Sequence, residues 1–90
     1  LTEIQSSIFT PACVSCHGGS NPTAGMNLEP GQSHANLVNV PATTQSGTRV
    51  VPFQPDSSVL VIFLDDGHRN RPASERQMIR DWIEVGAPDN

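Results

Sequence analysis

Apolar positions along this chain fall into short clusters separated by stretches rich in Gly, Pro, Ser and Thr. Ile4, Ile8 and Phe9 recur at helical spacing and predict a short amphipathic helix. Thr2-Glu3-Ile4-Gln5 has the pattern of a capping box, with Thr2 as N-cap and Gln5 three residues on. Thr10-Pro11 predicts a restart, Thr10 capping and Pro11 taking the first helical position, in the segment that carries Cys13 and Cys16. Gly18-Gly19 stops that segment, and residues 18–30 read as loop. A short helix over 30–39 is predicted to bury Leu37 and Val38, followed by an extended crossing loop over 40–55. The unbroken apolar run Val59 to Leu64 suits a buried strand or a helix, and the start signal Pro55-Asp56-Ser57-Ser58 favours the helix. Residues 65–72 are polar loop. Ser74-Glu75-Arg76-Gln77 is a second capping box, Ile79, Trp82 and Ile83 form the apolar stripe behind it, and Gly86 with Pro88 ends the helix. The pattern predicts one all-α domain over residues 1–90 with no internal repeat.

Composition adds a problem of stability. Only 36% of the 90 residues are hydrophobic, and Gly and Pro number 7 and 8. A chain this short usually needs a disulfide, metal or cofactor beside its own core. The formal charge is −4, and all five basic residues are Arg (Arg49, Arg69, Arg71, Arg76 and Arg80), four of them between positions 69 and 80. That is not the basic footprint of a nucleic-acid binder. No run approaches the roughly 20 apolar residues of a membrane span, and no charged segment followed by an apolar one opens the chain as a signal peptide would.

Cys13-Val14-Ser15-Cys16-His17 carries the chemistry. C-x-x-C-H is the attachment signature of c-type haem. Cysteine alone forms the thioethers to the two vinyl groups, the i, i+3 spacing puts both sulfurs on one helical face, and His17 follows as the proximal iron ligand. A covalent haem also supplies the missing apolar bulk. Two other readings of the cysteines exist. A zinc site ordinarily takes four ligands, and the chain offers Cys13, Cys16, His17, His34 and His68 without a second C-x-x-C pair. A C-x-x-C disulfide or redox pair with an incidental His is the other reading, of which the thioredoxin form needs an alternating βαβ pattern that is missing here. Arg49, alone among Val and Pro, needs an anionic partner. A haem propionate, which the guanidinium fork fits, and Asp56 are the candidates.

The order of an N-terminal helix, C-x-x-C-H, Gly-rich loop, middle helices, ligand loop and Trp-bearing last helix resembles the small class I c-type cytochromes over essentially the whole chain. The segments Leu37-Val38-Asn39-Val40-Pro41, Arg49-Val50-Val51-Pro52 and Ile79 to Ala87 resemble, more narrowly, bacterial cytochrome domains joined to other extracellular modules, some in polysaccharide-degrading systems. The class I resemblance implies a helical fold around one covalent haem. In that fold the first and last helices cross at an aromatic contact, here Phe9 or Ile8 against Trp82. It also implies a backbone carbonyl, by analogy that of Pro22, facing the His17 ring. The distal iron ligand in that fold is usually a Met in the loop before the last helix. Here the loop is Gly67-His68-Arg69-Asn70-Arg71-Pro72, without Met. His68 takes its place, as a Gly-His pair does in related modular domains, giving a bis-His iron. Met78 and Met26 are its rivals, and His34 reads as a surface residue. Arg69 and Arg71 flank the ligand loop, where they face solvent, propionates or an acidic partner.

The function so implied is outer-sphere electron transfer, not catalysis. A redox partner protein exchanges the electron, and the narrower resemblance points to a lytic polysaccharide monooxygenase. The lysine ring by which mitochondrial cytochrome c docks is missing. The alternative is a haem enzyme or gas sensor with an open or displaceable distal site. The haem is attached outside the cytoplasm, so a periplasmic or secreted location follows. The chain is expected to be a monomeric domain, cut from a longer exported protein and tethered there to other modules.

Overall fold

The computed structural model describes residues 1–43 and 45–90. It is mostly helical, 51% of the chain, with no strand among the described residues. The first helix, α1, opens as an α-helical turn at Thr2–Ile4 and widens into π-helical turns over Gln5–Cys13. The predicted restart at Thr10 is therefore not seen. A proline inside an α-helix lacks its N–H and clashes with the carbonyl four residues back. The wider winding, with Val14 N–H donating to the Phe9 carbonyl at 3.0 Å, accommodates Pro11 without ending the helix.

Neither capping box forms. Leu1 is the N-cap of α1, and the Thr2 hydroxyl donates instead to the Asn90 carbonyl at 2.7 Å. Gln5 becomes an internal bridge: its amide nitrogen donates to the Leu28 carbonyl at 2.7 Å, and its amide oxygen accepts from the Ser33 hydroxyl at 2.7 Å. The last helix, α4 (Ala73–Glu84), has Pro72 as its N-cap, and Glu75 turns back to Arg71. At α1 tertiary partners win the side chains that the local motif would have used; at α4 the competitor is a neighbour one turn along, Gln77 donating to Asp81 at 2.8 Å.

Helix α2 (Ser33–Leu37) lies inside the predicted 30–39 span and buries Leu37 fully. The crossing segment after it carries only isolated bridges, Val38 with Val50, Pro41 with Thr48 and Thr48 with Ser58. It ends against α3 (Val59–Asp65), where the Thr48 and Arg49 carbonyls accept from the Val59 and Leu60 N–H groups at 2.9 and 3.0 Å. Those two donors are unpaired at any helix start, and here the loop supplies their acceptors. Helix α4 ends as predicted. Gly86 has φ +105, Gly86 N–H donates to Ile83 and Ala87 N–H to Trp82, both at 2.9 Å. This is a Schellman closure, and the Phe53 ring covers the glycine so closely that an added Cβ would stand 2.8 Å from its Cζ.

One core joins all four helices: Ile4, Ile8 and Phe9 from α1, Leu28, Leu37, Val50, Val61 and Leu64, and Ile79, Trp82 and Ile83 from α4. Phe9 and Trp82 share this core as predicted, but they form no aromatic pair among the described residues. Trp82 spends its indole N–H on the Pro88 carbonyl at 2.9 Å. No helix among the described residues is long and apolar enough to cross a membrane.

Candidate functional site

The C-terminal end of α1 delivers Cys13, and the following turn delivers Cys16 and His17, with His17 N–H donating to the Cys13 carbonyl at 2.9 Å. The three side chains line one cleft of about 190 Å³. It is also lined by Ile8, Phe9, Leu28, Leu60, Leu64 and Ile79 and by Met26, His68 and Arg69. A second, smaller lobe of about 70 Å³ shares Met26, Leu60, Leu64 and His68 with it and is lined also by Arg49. Residues 55 positions apart in sequence, Cys13 and His68, thus border one mostly apolar space. A wider groove of about 500 Å³ between α1, the 30–34 segment with His34 and the C-terminal residues holds neither the cysteines, His17 nor His68.

His17 Nδ1 lies 3.1 Å from the Thr23 carbonyl. A carbonyl can only accept, so Nδ1 carries the proton and Nε2 keeps its lone pair. The class I analogy pointed to Pro22, one residue earlier. The correction has a local cause: the turn at Thr23–Gly25 has Ala24 in a left-handed conformation, and the Pro22 carbonyl is taken by Gly25 N–H at 3.0 Å. Leu28 N–H donates to the His17 carbonyl at 2.6 Å and ties this loop to the motif.

Cys13 is half-buried and Cys16 exposed, and no disulfide joins them. Burial pushes the Cys13 thiol above its ordinary value, and the nearby Arg71 and Arg69 only partly offset this. The direction is opposite to that of the lowered thiol in redox C-x-x-C pairs. No group of three or more His, Cys, Asp or Glu side chains suited to a metal ion forms among the described residues, so the four-ligand zinc arrangement has no counterpart there.

His68 sits in a tight turn, His68–Asn70, that follows the left-handed Gly67. It is exposed, and its ring meets Phe63 at 5.7 Å between centroids, tilted by 47°. The two methionines part company. Met26 borders both lobes of the cleft, whereas Met78 packs against the core from α4 and lines neither. The His34 ring stands 3.0 Å from the Ala87 carbonyl and is half-buried, where the sequence suggested a surface residue.

Arg49 is only 7% exposed. Its guanidinium donates to the Asn36 and Ala24 carbonyls at 2.9 and 2.8 Å, and it has no carboxylate partner among the described residues. Desolvation accordingly lowers its pKa. Asp56 is not its partner, because Arg80 takes that carboxylate at 2.7 Å. The other arginines divide sharply. Arg71 pairs with Glu75 at 2.9 Å, and Arg76 and Arg80 both pair with Asp65, at 3.2 and 2.7 Å. The Arg80 hydrogen bond holds the Asp65 carboxyl below its ordinary value. Arg69 and Arg49 alone border the cleft, and neither is paired with an acid among the described residues.

Sequence reasoning missed the Thr23 carbonyl, the Phe63 ring against His68, and Leu60 and Leu64 as cleft walls. Only the last left a signal, since an apolar run beside a His-bearing loop points to a shared surface. No protein-family model, curated protein or solved structure matches the chain.

Proposed function

We propose that this chain is a monohaem c-type cytochrome domain with a class I-like fold, working in outer-sphere electron transfer outside the cytoplasm. One observation carries the proposal: Cys13, Cys16, His17 and His68 border a single apolar cleft, with His17 Nδ1 already engaged by a carbonyl. Cys13 and Cys16 would hold the haem by thioethers, and His17 Nε2 and His68 would be its axial ligands. The haem, when bound, supplies a one-electron couple. The chain's own residues keep water from the cleft with Leu28, Leu60, Leu64 and Ile79, orient the His17 ring through Thr23, and place positive charge at the edges with Arg49 and Arg69. A buried cation needs an anion, and Arg49 has none among the described residues, which supports its reading as the propionate partner. The partner is a redox protein, and the narrower resemblance makes a lytic polysaccharide monooxygenase the first to try.

The test is direct. The domain, produced with haem-attachment machinery, is expected to take up one electron reversibly and to bind neither CO nor cyanide readily. Ready binding of both would favour the second reading, a haem enzyme or sensor with a displaceable distal ligand. That reading draws on the exposure of His68 and on its loop, where Arg69 and Asn70 have φ +61 and +49.

Arg49 allows a quantitative check. Its positive charge disfavours the oxidised, more positive iron. Arg49→Gln is expected to lower the midpoint potential by on the order of tens of millivolts, about 59 mV being a tenfold change for one electron. Arg49→Lys, which keeps the charge, should recover most of the shift. Potentiometric titration of the three proteins checks both.

A further inference from the structure

The loop that carries His68 leaves α3 at Asp65 and enters α4 after Arg71. Arg76 reaches both of its ends. Its Nη1 donates to Asp65 Oδ1 at 3.2 Å, and its Nε donates to the Arg71 carbonyl at 3.2 Å. Each end has one further hold, Arg80 on Asp65 at 2.7 Å and Glu75 on Arg71 at 2.9 Å. Between the ends the backbone passes through left-handed conformations at Gly67, Arg69 and Asn70, which non-glycine residues keep only where the surroundings hold them. His68 itself is exposed and makes no side-chain hydrogen bond among the described residues; Phe63 is its only ring neighbour. The position of the imidazole therefore depends on the loop's ends.

We propose that Arg76 is a positioning residue, which holds His68 at the cleft by tying together the two ends of its loop. The inference rests on the proposed role of His68 as distal ligand. Releasing one end lets the loop relax and enlarges the fraction of molecules with an open distal face. An external ligand's apparent affinity scales with that fraction.

CO binding to the reduced, haem-loaded domain reads this fraction. Arg76→Ala is expected to raise the apparent CO affinity about tenfold, equivalent to about 1.4 kcal/mol. Asp65→Asn, which releases the same end from the other side, is expected to act in the same direction, should Arg76→Ala fold poorly. Asp56→Asn weakens the same ion-pair network through Arg80 but lies off the loop. It should leave CO affinity unchanged. The Arg76–Asp65 pair is about a third exposed, with side-chain exposures of 32% and 35%. Added salt should therefore raise CO affinity in the wild type and much less in Arg76→Ala. Unchanged CO affinity in both loop variants, or an equal rise in Asp56→Asn, overturns the inference. A wild type without a bis-imidazole signature overturns the assignment of His68 beneath it, which is a separate result.

Discussion

The chain with Cys13→Ala and Cys16→Ala together is expected to lose its haem in denaturant and, with the cleft emptied, to melt well below the wild type. The size of the effect follows from the cleft. Leaving an apolar space unfilled costs about 24 cal/mol per Å³. For a cleft of about 190 Å³ that sets an upper bound of about 4–5 kcal/mol once the haem has left, against the 5–15 kcal/mol typical of a whole domain. In a domain of this size each kcal/mol moves the midpoint by roughly 4–8 °C. The double variant keeps His17 and His68, so haem can still enter, but it is held by axial bonds alone and should wash out in acid or denaturant. Either single variant keeps one thioether and should stay coloured, with a shifted absorption band. Differential scanning calorimetry and absorption after denaturation measure both consequences. A disulfide or zinc module behaves otherwise: its wild type is already colourless, and the double variant removes a cross-link or a metal.

The second large effect is expected at the other face of the cleft. His68→Ala should convert the oxidised protein from low-spin to mostly high-spin iron, and should make the reduced protein bind CO at micromolar concentrations where the wild type does not. The sixth position is then open, unless another side chain reaches it. Among the described residues Met26 is the only other candidate ligand bordering the cleft; Met78 does not border it, and His34 lies against the Ala87 carbonyl. A variant that stays low-spin would therefore point to Met26, and His68→Ala with Met26→Leu would settle the matter. Loss of His68 should also raise the midpoint potential, since it removes an imidazole that favours the oxidised iron.

How much of this was legible in the chain depends on the range of the interaction. The helices came from periodicity, and α3 from its start signal, because an apolar run of this kind suits strand and helix alike. What makes it a helix in the fold is non-local: the Thr48 and Arg49 carbonyls meet its first N–H groups. The first capping box was misleading for the same reason, since Thr2 and Gln5 found partners at Asn90, Leu28 and Ser33. The second was lost locally, Gln77 bonding Asp81 one turn along. Pro11 was read as a helix start, yet the π winding carries the helix through it. The cysteine motif is contiguous and so was readable at once. The carbonyl facing His17 was placed one residue early, since sequence does not choose between successive carbonyls in a turn. Arg49 was conspicuous as a charge among apolar neighbours, but that its alternative partner Asp56 belongs to Arg80 was visible only in three dimensions. Arg76 left no trace beyond its place in the supposed capping box, because its two contacts lie 11 and 5 residues away.

The central claim is that a covalently held haem takes His17 and His68 as its two axial ligands. Low-temperature EPR of the oxidised, haem-loaded domain tests it most directly. The account predicts a single low-spin species with the g-values of two imidazoles, present in the wild type and lost in His68→Ala. A low-spin His/Met signal, a high-spin signal in the wild type, or a bis-imidazole signal that survives His68→Ala would contradict it.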